Sequence, residues 1–207
     1  MSPRPKGRTS KSDLRERIIE AAWAQIAREG APALSLRAVA RDLGIAAPSI
    51  YNHFADRDAL VTTLIIEAYE SLGTHQLNAL NNVATDDLPQ RMISIGTAYH
   101  EWALTYPQRY LLIFGTPIPG YAAPLEVVQP IAARSLSALI GVVESYHLAG
   151  RLKVVDVDFQ TIAVLIWTRV HGLISMEISH NLPPIIPDVS KLFQIEFKLI
   201  VDQFFVN

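Results

Sequence analysis

At 207 residues the chain is long enough for one large or two small domains with a sizeable core. Half of its residues are hydrophobic and 18% are charged, which excludes a disordered protein, and the lack of cysteine excludes disulfides, thiolate metal sites and cysteine nucleophiles and fits a reducing cytoplasm. The formal net charge of −2 hides an asymmetry: residues 1–57 hold ten Lys/Arg against six Asp/Glu, and the remainder holds eight against fourteen. A basic head on an acidic body suits contact with a polyanion, although short charge excesses are also common on solvated faces.

In chain order, MSPRPKGRTSKSD is basic and no apolar stretch follows it, so residues 1–9 read as a basic flexible arm rather than a secretory signal. From Ser10 or Ser12, either a plausible N-cap, Leu14, Ile18, Ile19, Ala22, Trp23 and Ile26 recur at helical spacing. Gly30 and Pro32 end that helix. Ser35 is placed to cap a short helix that Gly44 stops, and a third runs from about Ala47 to His53. Asp56 caps a fourth, over about 57–81. Further helical patterns occupy about 87–105, 107–114, 124–148, 157–180 and 188–205. No convincing period-2 run appears, so the expected fold is all-α. The expected organisation is a basic arm (1–9), a head (10–55) and a larger helical body (56–207). The stretch TIAVLIWTRVHGLISMEI carries Arg169, His171 and Glu177 and reads as too short and too charged to span a membrane.

The segment GIAAPSIYNHF, residues 44–54, crowds Ser49, Tyr51, Asn52 and His53 together. Two short helices are separated by Gly-Ile-Ala, with Val39, Leu43, Ile45 and Ile50 spaced to share a core with the first helix and Ala40 small enough for the crossing. This is a helix-turn-helix pattern. The outer face of its second helix would be Ala47, Pro48, Ser49, Tyr51, Asn52 and His53, short or polar groups that fit a major groove and bond phosphates and base edges. A helical protein-interaction module could also present such a face.

The stretch LSLRAVARDLGIAAPSIYNHFADRDAL resembles the DNA-binding head of the TetR family of transcriptional repressors, and the likeness is dense over residues 14–64. The resemblance implies phosphate contacts from Ser35, Arg37, Tyr51 and His53, base contacts from Ala47, Pro48, Ser49 and Asn52, and a core role for Phe54. Many relatives carry Lys after the His-Phe pair. Here that position is Ala55, and Arg57 is the available replacement.

In the body, IWTRVHGLISMEI resembles the subgroup of that family marked by Trp167 followed by His171-Gly172. A double-stranded DNA partner, a homodimer formed by the last two helices, and a small-molecule effector are what the family implies. The residues themselves offer an aromatic set that would suit a mostly apolar ligand: Tyr99, Trp102, Tyr110, Phe114, Trp167 and His171. Such stripes are also ordinary core. Gly172 would permit close helix approach or leave room for ligand, and GTPIPGY would form a pocket rim or a stiff loop. LFQIEFKLIVDQFF is apolar beyond the needs of one internal face, which suggests a partner. An enzyme reading rests on Glu144-x-x-His147 and Glu177-x-x-His180, half of a di-iron carboxylate bundle, with Glu67, Glu70, Glu101 and Glu196 available by type. Both histidines sit at expected helix ends, which disfavours it. No phosphate loop, dinucleotide fingerprint or nucleophile elbow is present. The expected function is a cytoplasmic regulator, not an enzyme, with no cofactor and no metal.

Overall fold

The computed structural model of the chain describes residues 11–185 and 188–206. The expected arm at 1–9 and the cap candidate Ser10 lie outside them. The described residues form ten α-helices and one short 3-10 turn. In order they are α1 (Lys11–Glu29), the turn Ala31–Ala33, α2 (Leu36–Leu43), α3 (Ala47–Tyr51), α4 (Arg57–Leu80) and α5 (Leu88–Thr105), then α6 (Pro107–Phe114), α7 (Leu125–Ser135), α8 (Ser137–Leu148), α9 (Phe159–Ile178) and α10 (Val189–Phe204).

Two apolar cores organise the chain. The first joins Ile18, Ala22, Trp23 and Ile26 of α1 to Leu36, Val39, Ala40, Ile50 and Phe54, and continues into α4 through Leu60, Val61 and Leu64. The second lies in the body, where α5, α8, α9 and α10 enclose Met92, Tyr99, Trp102, Val142, Ile162, Ile166 and Ile200. α4 runs from one core to the other, contributing Leu72 and Leu80 to the body. Its start is firmly set. Asp56 accepts a hydrogen bond from the Ala59 amide at 2.8 Å, which satisfies an orphan donor of the first turn.

The turn between α2 and α3 depends on Gly44, which lies in the left-handed region at φ 65°. Its amide bonds the Ala40 and Arg41 carbonyls, and the Ile45 amide returns to Ala40 O at 3.0 Å. Nothing would crowd a Cβ there, so glycine is required by the backbone conformation and not by space.

The structure corrects several details of the pattern reading. Ser35 occupies the N-cap position of α2, but its side chain does not cap the helix; its amide instead donates to Gln25 Oε1 at 3.2 Å. α3 ends at Tyr51, two residues early. The single helix expected over 124–148 is two, α7 and α8, bent by 49°. At that break Gly73 of α4 comes so close that an added Cβ would lie 3.4 Å from Ser135 Cα, and the Ser135 hydroxyl turns back to Ala132 O. GTPIPGY, which begins directly after Phe114, is tied down on the side of the first core. Ile118 packs into the first core, and the Tyr121 hydroxyl bonds Thr62 of α4 at 2.9 Å.

α9 is also long and apolar enough to cross a membrane, contrary to the expectation that it is too short. In the fold one side of it, with Ile162, Ile166, Val170 and Ile174, is core, and Arg169 pairs with Glu196 of α10 at 2.7 Å. Its other side leaves Val164, Leu165 and Met176 exposed, as α10 does Ile195 and Leu199.

Candidate nucleic-acid interface and effector site

The head is built so that one face of α3 is spent on the core and the other is left open. Ile50 is fully buried and Phe54 nearly so. Of the remaining residues of the segment, Pro48, Tyr51 and Asn52 are exposed and Ser49 and His53 half-buried, while Ala47, also half-buried, packs against the first core. Tyr51 is 51% exposed, unusual for an aromatic in a three-helix core. No side-chain hydrogen bond ties Ser49, Tyr51, Asn52 or His53 to any other described residue, so their donors and acceptors are available to a partner. At the start of α2, Ser35 is half-buried and Arg37 exposed beside that face. Seven of the eight predicted contact residues thus lie at the α2 start or on the open side of α3 and its end, and Ala47 is turned to the core. Arg57 is not free in the same way. Its guanidinium donates to Leu34 O at 3.0 Å and Pro32 O at 3.1 Å, bracing the loop before α2.

Side chains that periodicity could not reveal hold this platform. Gln25, 1% exposed, donates to Ala33 O and Glu29 and accepts from the Ser35 amide, so one amide satisfies the turn before α2. Arg28 pairs with Asp42 at 2.8 Å, and the Arg15 guanidinium lies 5.3 Å from the Phe54 ring centre.

In the body, four of the other five predicted aromatic-set residues converge on His171. Its Nδ1 lies 3.0 Å from the Tyr99 hydroxyl and 3.1 Å from that of Tyr110. Tyr110 also reaches His171 O at 3.3 Å. The network closes if Tyr99 donates to a neutral Nδ1 while Tyr110 donates to the carbonyl, which places the imidazole proton on Nε2. Phe114 packs edge-on to His171 at 4.8 Å, and Trp167 stacks on it at 4.9 Å. Burial holds the imidazole below its usual value and so keeps it neutral. Burial likewise raises both phenols, Tyr99 far above the usual range and Tyr110 to about 12. These groups act as neutral hydrogen-bonding partners and not as acids or bases near pH 7. Trp102 stands apart: it is fully buried and donates to Ser71 Oγ of α4 at 3.0 Å.

Comparison with known proteins decides what this combination is. Residues 18–64 match the family model of bacterial regulatory proteins of the tetR family, and residues 92–199 match the tetracyclin repressor-like C-terminal domain. The chain belongs to the TetR family. It is 30% identical to the HTH-type transcriptional regulator Rv1816 of Mycobacterium tuberculosis, over 84% of each chain. It is 33% identical to the solved structure of SCO4313, with a TM-score of 0.78 over 92% of this chain and 96% of that one. The fatty acid degradation regulator FadR from Bacillus halodurans shares the fold at 14% identity, with a TM-score of 0.70 over 90% of this chain and 97% of that one. This TetR-family chain is therefore a transcriptional regulator with a helix-turn-helix DNA-binding head, in a family of regulators and not of enzymes.

The regulator's other polar groups fit that assignment. Glu177 bonds His100 Nε2 at 2.7 Å, and His100 stacks on Phe193 at 4.2 Å. His180 is exposed, and His147 stacks on Phe159. The two Glu-x-x-His motifs do not meet, and no group of three metal-capable side chains occurs among the described residues. Gly172 faces outward with nothing near its Cβ position, so it leaves no room in the aromatic cluster.

One link between the two regions was not legible beforehand. Arg109 of α6 lies 5.1 Å from the ring centre of Trp23 in α1 and 4.9 Å from that of Tyr106. The same short helix carries Tyr110 and Phe114 to His171, while its Leu112 packs against the first core. α6 therefore touches the head and the aromatic cluster at once.

Proposed function

We propose that this regulator is a repressor that binds a palindromic operator as a homodimer and is released by a small, mostly apolar effector. The observation that carries the reading is the pairing of an unpartnered polar face on α3 with an aromatic cluster around His171, joined by α4 and α6. The arm at 1–9 and the head at 10–55 act on DNA in the cytoplasm, and the body at 56–207 senses and dimerises. Ser35, Arg37, Tyr51 and His53 contact phosphates. Pro48, Ser49 and Asn52 face bases. Tyr99, Tyr110, Phe114, Trp167 and His171 receive the effector, with Trp102 holding the cluster against α4.

The dimer reading is supported by Val164, Leu165 and Met176 on α9 and Ile195 and Leu199 on α10, all exposed and apolar. Gly172 lies on the same outer face of α9 and lets a second helix approach closely. A two-fold axis through these helices would set the two α3 helices about 34–36 Å apart, one turn of B-DNA. An effector releases DNA only by favouring an arrangement with a different spacing. The test is a mobility shift on the promoter beside its own gene over a salt series. Sequence-specific binding with steep salt dependence is expected, and equal affinity for any duplex overturns the reading. Trp167→Ala should alter the effector response and leave operator affinity near parental; a variant that unfolds makes Trp167 plain core.

A further inference from the structure

A groove of about 880 Å³ runs along the outside of the body between α5 and α10. Its walls are largely apolar, with Ile93, Leu104, Phe193 and Val201, and its floor is Phe197. Behind Phe197 lies a cavity of about 20 Å³, room for about one water, bordered by Tyr99 and Trp167 of the aromatic cluster. Phe197 is the residue common to both spaces. Its ring edge rests in a notch over Gly96: a Cβ added there would lie 2.1 Å from the Phe197 Cε2 atom. The barrier between groove and cluster is thus a single aromatic ring, seated where only glycine leaves space.

The inner cavity carries a second signal. Gln76 of α4 lines it and is only 6% exposed, yet its amide makes no hydrogen bond among the described residues. Its amide atoms are not fully shut off from solvent, so a ligand group that bonds them replaces water there. No charged side chain borders the cavity, so a ligand charge there would be desolvated without compensation.

We propose that the effector enters through the α5/α10 groove, that Phe197 is the gate, and that Gln76 anchors the ligand's leading end. The ligand class is an uncharged, slender molecule, apolar over most of its length, with one hydrogen-bonding group. When the ring swings outward it stays covered by the apolar groove walls, and the space it leaves joins the cavity to the groove. The groove side of α10, with Gln194, Lys198 and Val201, is not the side that exposes Ile195 and Leu199, so dimerisation leaves the entrance open. The proposal rests on the reading of the aromatic cluster as the effector site.

The uncharged fluorophore N-phenyl-1-naphthylamine serves as probe, with binding followed by stopped-flow and equilibrium fluorescence on the full chain. Phe197→Leu should speed association and dissociation about tenfold, with a smaller change in affinity, because a gate alters rates more than equilibria. Thr97→Phe, at an exposed position in the groove, should slow association by a similar factor, and it decides the matter if Phe197→Leu does not fold. Gln76→Leu should weaken binding about tenfold, mainly through faster dissociation. Parental rates in both Phe197→Leu and Thr97→Phe, with binding still weakened by Trp167→Leu, overturn the gate and leave the effector site standing. Binding that ignores Trp167→Leu overturns the effector site and the gate together. A probe that binds none of these proteins overturns the ligand class.

Discussion

The head and the body hold their polar groups in opposite ways. On α3 and just past its end, the side chains of Ser49, Tyr51, Asn52 and His53 have no hydrogen-bond partners among the described residues, so the surface is ready to bond an external one. In the body, Tyr99, Tyr110 and His171 are bonded to one another, and Trp102 to Ser71. A DNA duplex meets groups whose only competitor is water. On the proposed reading, an effector would exchange bonds already made or insert beside them, which rewards shape and a correctly placed polar atom. The difference separates a surface built for affinity from an interior built for discrimination.

Four changes sharpen this contrast, in descending order of expected effect. Trp102→Ala should cost about 3–5 kcal/mol of stability in denaturant unfolding, because it opens a large void and strands the Ser71 hydroxyl. Asn52→Ala is the head's counterpart. Its stability should stay within about 0.5 kcal/mol of parental, while operator affinity falls by about 1–3 kcal/mol in fluorescence anisotropy. If Asn52→Ala proves as destabilising as Trp102→Ala, the contrast between the regions is broken. Arg109→Gln should cost about 0.5–1 kcal/mol of stability, from the lost stacking on Trp23 and Tyr106. It should also reduce the difference in operator affinity with and without effector, since α6 bridges the two regions.

The smallest expected effect is one of pH. Burial lowers the His171 pKa in the folded state below the ordinary 6.5. Between those two values the unfolded chain binds the extra proton, so stability is complete above about pH 6.5 and falls as pH drops through the window beneath it. Calorimetric melting from pH 7.5 to 5 should show this decline, and His171→Gln should remove its share of the slope.

Residues with local, periodic roles were legible in the sequence. Ile50, Val39 and Ala40 are core because their spacing puts them on one side of short helices, Phe54 was legible only through the family resemblance, and Gly44 is a stop because of its backbone freedom. The convergence on His171 was half legible: the aromatic types were evident, but burial of Trp102 against Ser71 was not. Long-range partners left no trace in the pattern. Gln25 with Ser35, Arg57 with Leu34 and Glu177 with His100 join residues 10, 23 and 77 positions apart. The α7/α8 break escaped for the same reason, since apolar periodicity continues through Leu136 and the close approach of Gly73 to Ser135 is a long-range contact. Between Phe197 and Leu199 the sequence could not choose which faces out. The fold places Phe197 over Gly96 and leaves Leu199 52% exposed.

The close meeting of Gly73 and Ser135 has a mechanical consequence. With no side chain between the two backbones, α4 rests on α7 as a beam rests on a fulcrum. From Gly73 to Arg57 the beam is about 24 Å long, and from Gly73 to Leu80 about 10 Å, at the rise of an α-helix. A tilt of about 5° moves the Arg57 end by about 2 Å, roughly twice the travel of the body end. Arg57 grips the carbonyls before α2, which ties that end to the head. Unequal arms would make the displacement from any rigid tilt about this point about twice as large at the Arg57 end as at the Leu80 end.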